Sequence, residues 1–156
     1  MASTTGESLR VPLYWLWNEQ QTDSAYTVSA DRRDRMVREQ GYVDMGVLAY
    51  IDLHQAQDSR PLKCFYSPAP RTNTFCSTSR TEQRTIHSFG YQHIGDEGYV
   101  RTRRAPGTVP LFRLNRAYGN GEDREHRFTT SEVELERLRK QAWTLDGTKG
   151  YVFTMP

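Results

Sequence analysis

The sequence predicts an α+β, β-rich fold: three β-β-α-β repeats in a closed pseudo-threefold arrangement. Three observations carry that prediction. The phrases VPLYWLWN (11–18), RPLKCFYS (60–67) and VPLFRLNR (109–116) recur, with Pro12, Pro61 and Pro110 spaced 49 residues apart. The same later anchors follow each phrase in the same order: a serine closing YTVS, CSTS and FTTS, then Gly41-Tyr42, Gly90-Tyr91 and Ala142-Trp143, then AYI, GYV and GYV. A period of about 50 residues marks repeated supersecondary units, and units that short must share one core. Finally, the copies carry no distinct end caps, so an open stack would expose strand edges that closed packing would protect.

Each element follows from local pattern. Residues 1–10 read as a flexible N-terminus, and the repeats as 11–51, 60–100 and 109–153 of one domain, 1–156. LYWLW, LKCFY and LFRLN are short runs of aromatic and aliphatic residues, as a strand requires. A polar connection leads to a second short strand ending in TVS, STS or TTS. Ser29, Ser79 and Ser131 then stand as helix N-caps; SRTE (Ser79, Glu82) and SEVE (Ser131, Glu134) are capping boxes, and Asp31 occupies the first turn of the first copy. Met36, Val37, Ile86, Leu135 and Leu138 are the apolar contacts of the helices. Gly41 and Gly90 allow the left-handed turn that ends a helix. A last strand carries Tyr50, Tyr99 and Tyr151, read as core together with Tyr42, Tyr91 and Trp143.

Composition narrows the function. Hydrophobic residues are only 36% of the 156, so the 12% of aromatics must supply much of the core. The net charge is +2, from 21 basic and 19 acidic residues. The runs Arg101–Arg104 and Asp31–Arg35 are interrupted and read as solvated faces, which speaks against a nucleic-acid partner. No segment reaches membrane-spanning length, and MASTTGESLR lacks an apolar signal-like stretch, so no membrane insertion and a cytoplasmic location are expected. Cys64 and Cys76 are too few for a disulfide scaffold and read as small buried hydrophobes in a reducing compartment. His54, His87, His93 and His126 offer no pair at metal spacing, so neither a metal nor a cofactor is implied. No nucleophile elbow or phosphate loop is present, and the chain reads as non-enzymatic; a carboxylate pair stays open because it needs only proximity.

VPLFRLNR…EHRFTTSEVE…GYVF and VPLYWLWN…YTVSADRRDR…GYVDMGVLAYI resemble a three-copy repeat domain of uncharacterised function. That domain is found appended to secreted bacterial hydrolases and in fungal proteins. The resemblance spans residues 11–153 and implies an accessory binding module, with carbohydrate as its ligand class. Its pattern places Arg after PLF or PLY, His ahead of the YTTS-like strand, and an acid before the Gly of the last turn. Only the third copy has all three, as Arg113, His126 and Asp146. The first has Trp15, Ser24 and Met45 there, and the second Cys64, Thr74 and Ile94.

Charge thus comes and goes as a set, which is expected if these three positions meet in space. One reading is a structural ion network; swapping such a network for hydrophobes is tolerated, whereas removing one member is costly. The other is a polar ligand site in which the Arg fork and the acid hold sugar hydroxyls or a carboxylate, with Asn115 and Glu125 beside them. Trp15 and Trp17 share one strand face. With Asn18 and Asp23 they would suit a sugar ring, or they are core filler. The loops NEQQTDS, SPAPRTN and NRAYGNGEDRE differ most, the third being long, glycine-rich and charged; its GEDREHR cluster (121–127) reads as solvated. The candidate ligand set is Trp15, Trp17, Asn18, Asp23, Arg113, Asn115, Glu125, His126 and Asp146. The expected function is a non-catalytic, lectin-like protein whose partners are glycans. A protein-binding module, or an inhibitor of a foreign enzyme acting through these loops, is the alternative, and a homodimer is compatible with either.

Overall fold

The computed structural model describes residues 9–67, 72–118 and 123–156. Along them run β1 (Arg10–Asn18), β2 (Asp23–Thr27), α1 (Ala30–Glu39), β3 (Val43–Asp52), β4 (Ser59–Ser67), β5 (Asn73–Ser77), α2 (Arg80–Ser88), β6 (Gln92–Arg101), β7 (Thr108–Tyr118), β8 (Asp123–Thr129), α3 (Glu132–Lys140) and β9 (Thr144–Phe153). All strand pairings are antiparallel and join nine strands into one sheet. β1 lies between β2 and β3, β4 between β5 and β6, and β7 between β8 and β9. Single-residue bridges join the long last strands: Asp52 with Tyr99, Arg101 with Tyr151, and Tyr50 with Phe153.

The sheet itself is open, which corrects the expected closure. Among the described residues β2, β5 and β8 each have one strand neighbour. Their edges are protected by burial instead: every residue of β2 and β5 is buried. Side-chain hydrogen bonds stand in for a ladder between them, since Thr74 donates to Asp23 from both its backbone N–H and its hydroxyl.

Helix boundaries follow the sequence. The Ser29, Ser79 and Ser131 side chains accept from the backbone N–H of Arg32, Glu82 and Glu134. Gly41 and Gly90 leave the first two helices with φ of +78° and +91°, but the third uses Ala142 at +70°. That conformation costs a residue with a Cβ about 1–2 kcal/mol.

What periodicity does not reveal is the register. β1 shifts twice against β3, between Leu13 and Tyr14 and between Trp15 and Leu16, and β4 and β7 shift at matching places. These irregularities let Leu13 and Leu16, three residues apart, both be fully buried on a strand whose side chains would otherwise alternate. Leu13, Leu62 and Leu111 meet Ile51, Val100 and Val152 in the central core. Tyr50, Tyr99 and Tyr151 are only half-buried, because alternation turns their C-terminal neighbours inward. Two satellite clusters form under helices: Leu16, Ala25, Met36 and Tyr42 under α1, and Leu114, Leu135, Leu138 and Trp143 under α3. α2 has no buried side chain.

Cys64 and Cys76 form a disulfide, with sulfurs 2.10 Å apart, correcting their reading as free hydrophobes. They are directly opposed on β4 and β5, and only the strand register brings them together. No described helix is long and apolar enough to cross a membrane.

Candidate functional site

The aromatic strand β1 faces β7, β8 and the segment after α3 across an open cleft of about 210 Å³. Trp15, Trp17, Met45, Arg116, Glu125, Arg127, Gln141 and Trp143 line it. The chain has three tryptophans, and all three converge here. Two indoles are held by cations: Arg127 lies 4.4 Å from the centre of the Trp15 ring and Arg116 4.8 Å from that of Trp143. Trp15 also donates to the Ser24 hydroxyl at 3.1 Å. Trp17 is half-buried and, among the described residues, its side chain has neither a hydrogen bond nor a ring partner. Below the rings Glu125 is 2% exposed and meets Arg116 at 3.3 Å. Burial pushes its carboxyl above the usual range, while Arg116 and Arg127 pull it back. The volume is under the roughly 300–1,000 Å³ of a drug-sized pocket and suits one ring rather than a buried chain.

Arg113 belongs to a different, filled network. It is 3% exposed, and four of its five N–H groups are spent. Nε donates to Asp146 at 2.9 Å, Nη1 to the Cys76 carbonyl and to Glu82, both at 3.1 Å, and Nη2 to Glu82 at 2.7 Å. Its guanidinium sits 4.5 Å from the centre of the Phe75 ring. Asn115 donates to the other oxygen of Asp146. His126 meets the same Phe75 ring edge-on, at 5.0 Å between centroids, and contacts Asn73 through Nδ1 at 3.2 Å. The arginine, asparagine and two acids satisfy one another, with little left over for a ligand.

Glu82 was not singled out as a site residue, yet it is the hub of that network. The capping box that marked it is only half made: Ser79 receives the Glu82 N–H, but the Ser79 N–H goes to Ser77. The carboxylate is thereby left for Arg113, Lys149 (3.6 Å) and the Ser77 hydroxyl (2.6 Å).

A rule for the varying set emerges from these contacts. Arg113 corresponds in sequence to Trp15, and Phe75 to Arg127. One seam has Arg113 over Phe75, and another has Arg127 over Trp15, so the same cation–π contact is made with its partners exchanged. Arg113 thus meets Glu82 and Phe75, from α2 and β5, as well as Asp146 on the β9 strand paired with its own.

The remaining candidates do not join the cleft. Asn18 donates to the Gln40 carbonyl at 2.9 Å and receives the Gln21 N–H, holding a turn. Asp23 is fully buried and accepts from Tyr42 and Thr74. Burial raises its carboxyl pKa and those hydrogen bonds oppose the rise. Both face away from Trp15 and Trp17 because Asn18 and Asp23 pair across the β1–β2 hairpin and are drawn into the interior. Glu125 and His126, read as solvated loop charge, lie in β8, buried and half-buried. The loops SPAPRTN and NRAYGNGEDRE fall partly outside the described residues, at 68–71 and 119–122.

Two groups set an acid limit. Burial, and then the charge of Arg113, lower the His126 pKa to about 4. Glu82 is pushed up by burial, but Arg113, Ser77 and Lys149 outweigh that and hold it at about 2. Both folded values lie below the ordinary ones, so the unfolded chain binds more protons and stability is lost as pH falls. Asp23 and Glu125, with raised values, oppose this. A His126→Gln variant isolates the histidine. Between pH 6.5 and about 4 the wild type is expected to lose about 1–2 kcal/mol that the variant keeps, read by urea unfolding across that range. Parallel curves would contradict the assignment.

Residues 12–153 match a family described as a domain of unknown function, DUF5648. No curated protein and no solved structure matches the chain. Among the described residues no group of His, Cys, Asp or Glu could hold a metal ion.

Proposed function

We propose that this chain, which belongs to the DUF5648 family, is a non-catalytic carbohydrate-binding module whose ligand site is the tryptophan-lined cleft. The observation that carries the reading is the convergence of all three tryptophans on one open surface. A sugar ring has an apolar face that stacks on indole and hydroxyls that need directional partners. Trp17 offers a ring and an unspent N–H, Arg116 and Arg127 offer donors, and Gln141 offers both donor and acceptor. Glu125, the one acid in the lining, is tied to Arg116, which favours holding a ligand over cleaving one.

The scaffold is read as three β-β-α-β repeats around a pseudo-threefold axis. The order of elements supports this, and so do the three bridges, which link corresponding positions in cyclic order: Asp52 to Tyr99, Arg101 to Tyr151, Phe153 to Tyr50. Each seam between copies would then be a place where a site can evolve, and in this chain one seam carries the tryptophans. The Cys64–Cys76 disulfide favours an oxidising compartment over the cytoplasm.

Because every tryptophan lines the cleft, fluorescence excited selectively in tryptophan, past the absorption of the nine tyrosines, reports on the cleft alone. A bound glycan is expected to change it saturably. Trp17→Ala should weaken binding by about 2 kcal/mol, roughly thirtyfold, while leaving the fold intact, since Trp17 belongs to none of the core clusters and its side chain makes no hydrogen bond. A glycan that binds without moving the fluorescence, or that binds the variant equally well, would place the site elsewhere.

A further inference from the structure

A second groove, of about 840 Å³, lies under α2 and is separate from the cleft. It exists because two packing residues are missing. Where β1 has Tyr14 and β7 has Phe112 beneath a helix, β4 has Lys63; where α3 presents Leu135, α2 presents Gln83. A lysine and an amide cannot close that space, and so α2 buries no side chain.

What lines the groove is cationic. Arg60 and Lys63 come from β4, Arg80, Arg84 and His87 from α2, and His93 from β6. Four of these are permanent cations, more than the net charge of +2 carried by the whole chain. Most arginines elsewhere are spent on acids, as in Arg32–Glu97, Arg101–Asp52, Arg113–Glu82 and Arg127–Glu134. By contrast, among the described residues the side chains of Arg60, Lys63, Arg80 and Arg84 have no ion-pair or hydrogen-bond partner. The lining contains no Asp or Glu; the nearest acid in register, Asp96, opposite Lys63, is held by His93 at 2.9 Å.

We infer that this groove binds an anionic carbohydrate chain bearing sulfate or carboxylate groups. Unpaired like charges held together repel one another, and a polyanion relieves that repulsion while releasing counterions. The lining favours a sugar over a nucleic acid. Its stacking surface for bases is small: Phe65 is 5% exposed and packs on His93, whose Nε2 is held by Asp96, which leaves the His87 imidazole. The neutral polar groups are two hydroxyls, Ser59 and Thr78, which donate to the Ala56 and Lys149 carbonyls, and two amides: Gln83 gives its N–H to the Ser77 carbonyl and keeps its Oε1 for a hydroxyl, and Gln55 is exposed. Neither site depends on the other, so the groove stands even if the cleft binds no sugar.

The test is a calorimetric titration of the full chain with a heparin hexasaccharide, its desulfated counterpart and a single-stranded thymidine oligonucleotide of equal charge. Wild type is expected to bind the sulfated sugar, more weakly as salt rises from about 50 to 200 mM. Arg80→Glu with Arg84→Glu should lose about tenfold or more in affinity, and these exposed positions leave the core untouched. Trp17→Ala should bind the hexasaccharide as wild type does, which keeps the groove and the cleft distinguishable. Absence of sulfated-sugar binding, equal binding by the double variant, equal affinity for the desulfated sugar, or tighter binding of the oligonucleotide would each overturn the inference.

Discussion

Arg113→Ala is expected to cost about 3–5 kcal/mol of stability, the largest effect of any single side chain in the seam. Its guanidinium is 3% exposed and is the shared partner of Glu82, Asp146 and the Cys76 carbonyl. Deletion strands the half-buried Glu82 and Asp146 carboxylates and the Cys76 carbonyl, and removes the cation from the face of Phe75. Lys149, 3.6 Å from Glu82, compensates only in part. Replacing the set together, with Arg113→Met, Glu82→Gln and Asp146→Asn, is expected to cost less than Arg113→Ala alone, because no charge is left without its counterpart. Urea unfolding of both variants checks this. A loss under about 1 kcal/mol for Arg113→Ala would mean that the network is solvated rather than buried.

The second large effect belongs to the disulfide. Cys64 and Cys76 are separated by 12 residues and clamp β4 to β5 at the one pair of corresponding positions where neither a large aromatic nor an arginine fills the seam. Reduction, or Cys64→Ala with Cys76→Ala, is expected to lower stability by about 3 kcal/mol by releasing a loop of that size in the unfolded chain. The comparison is unfolding with and without a reductant. Unchanged stability would mean that the two cysteines contribute only as small hydrophobes, and it would remove the argument for an oxidising compartment.

How far the molecule was legible in its sequence can be judged from single residues. Ser29, Ser79 and Ser131 cap helices as their local context requires, because capping is decided within four residues. Leu13, Leu62 and Leu111, each following one of the recurring prolines, all lie in the central core. Cross-strand register is another matter. The paired shifts in β1, β4 and β7 depend on how two distant strands meet, and with them went the disulfide and the exact faces of Tyr50, Tyr99 and Tyr151. GEDREHR is polar throughout and so reads as loop charge, but on β8 Glu125 is buried beside Arg116 and His126 packs on Asn73 and Phe75 of β5, contacts that local polarity does not report. Arg113 and Asp146 lie on the paired strands β7 and β9, whereas Glu82 reaches Arg113 from α2, a contact that no sequence spacing reports. Trp143 was read as framework, and it is indeed 6% exposed, yet its remaining surface completes the cleft begun by Trp15 and Trp17.

The most direct measurement is a glycan array probed with the labelled protein and, in parallel, with Trp17→Ala, at two salt concentrations. Carbohydrate recognition through the cleft predicts a related group of glycans bound by wild type at both salts and lost in the variant. A blank array from folded protein, or an identical pattern from Trp17→Ala, would contradict it.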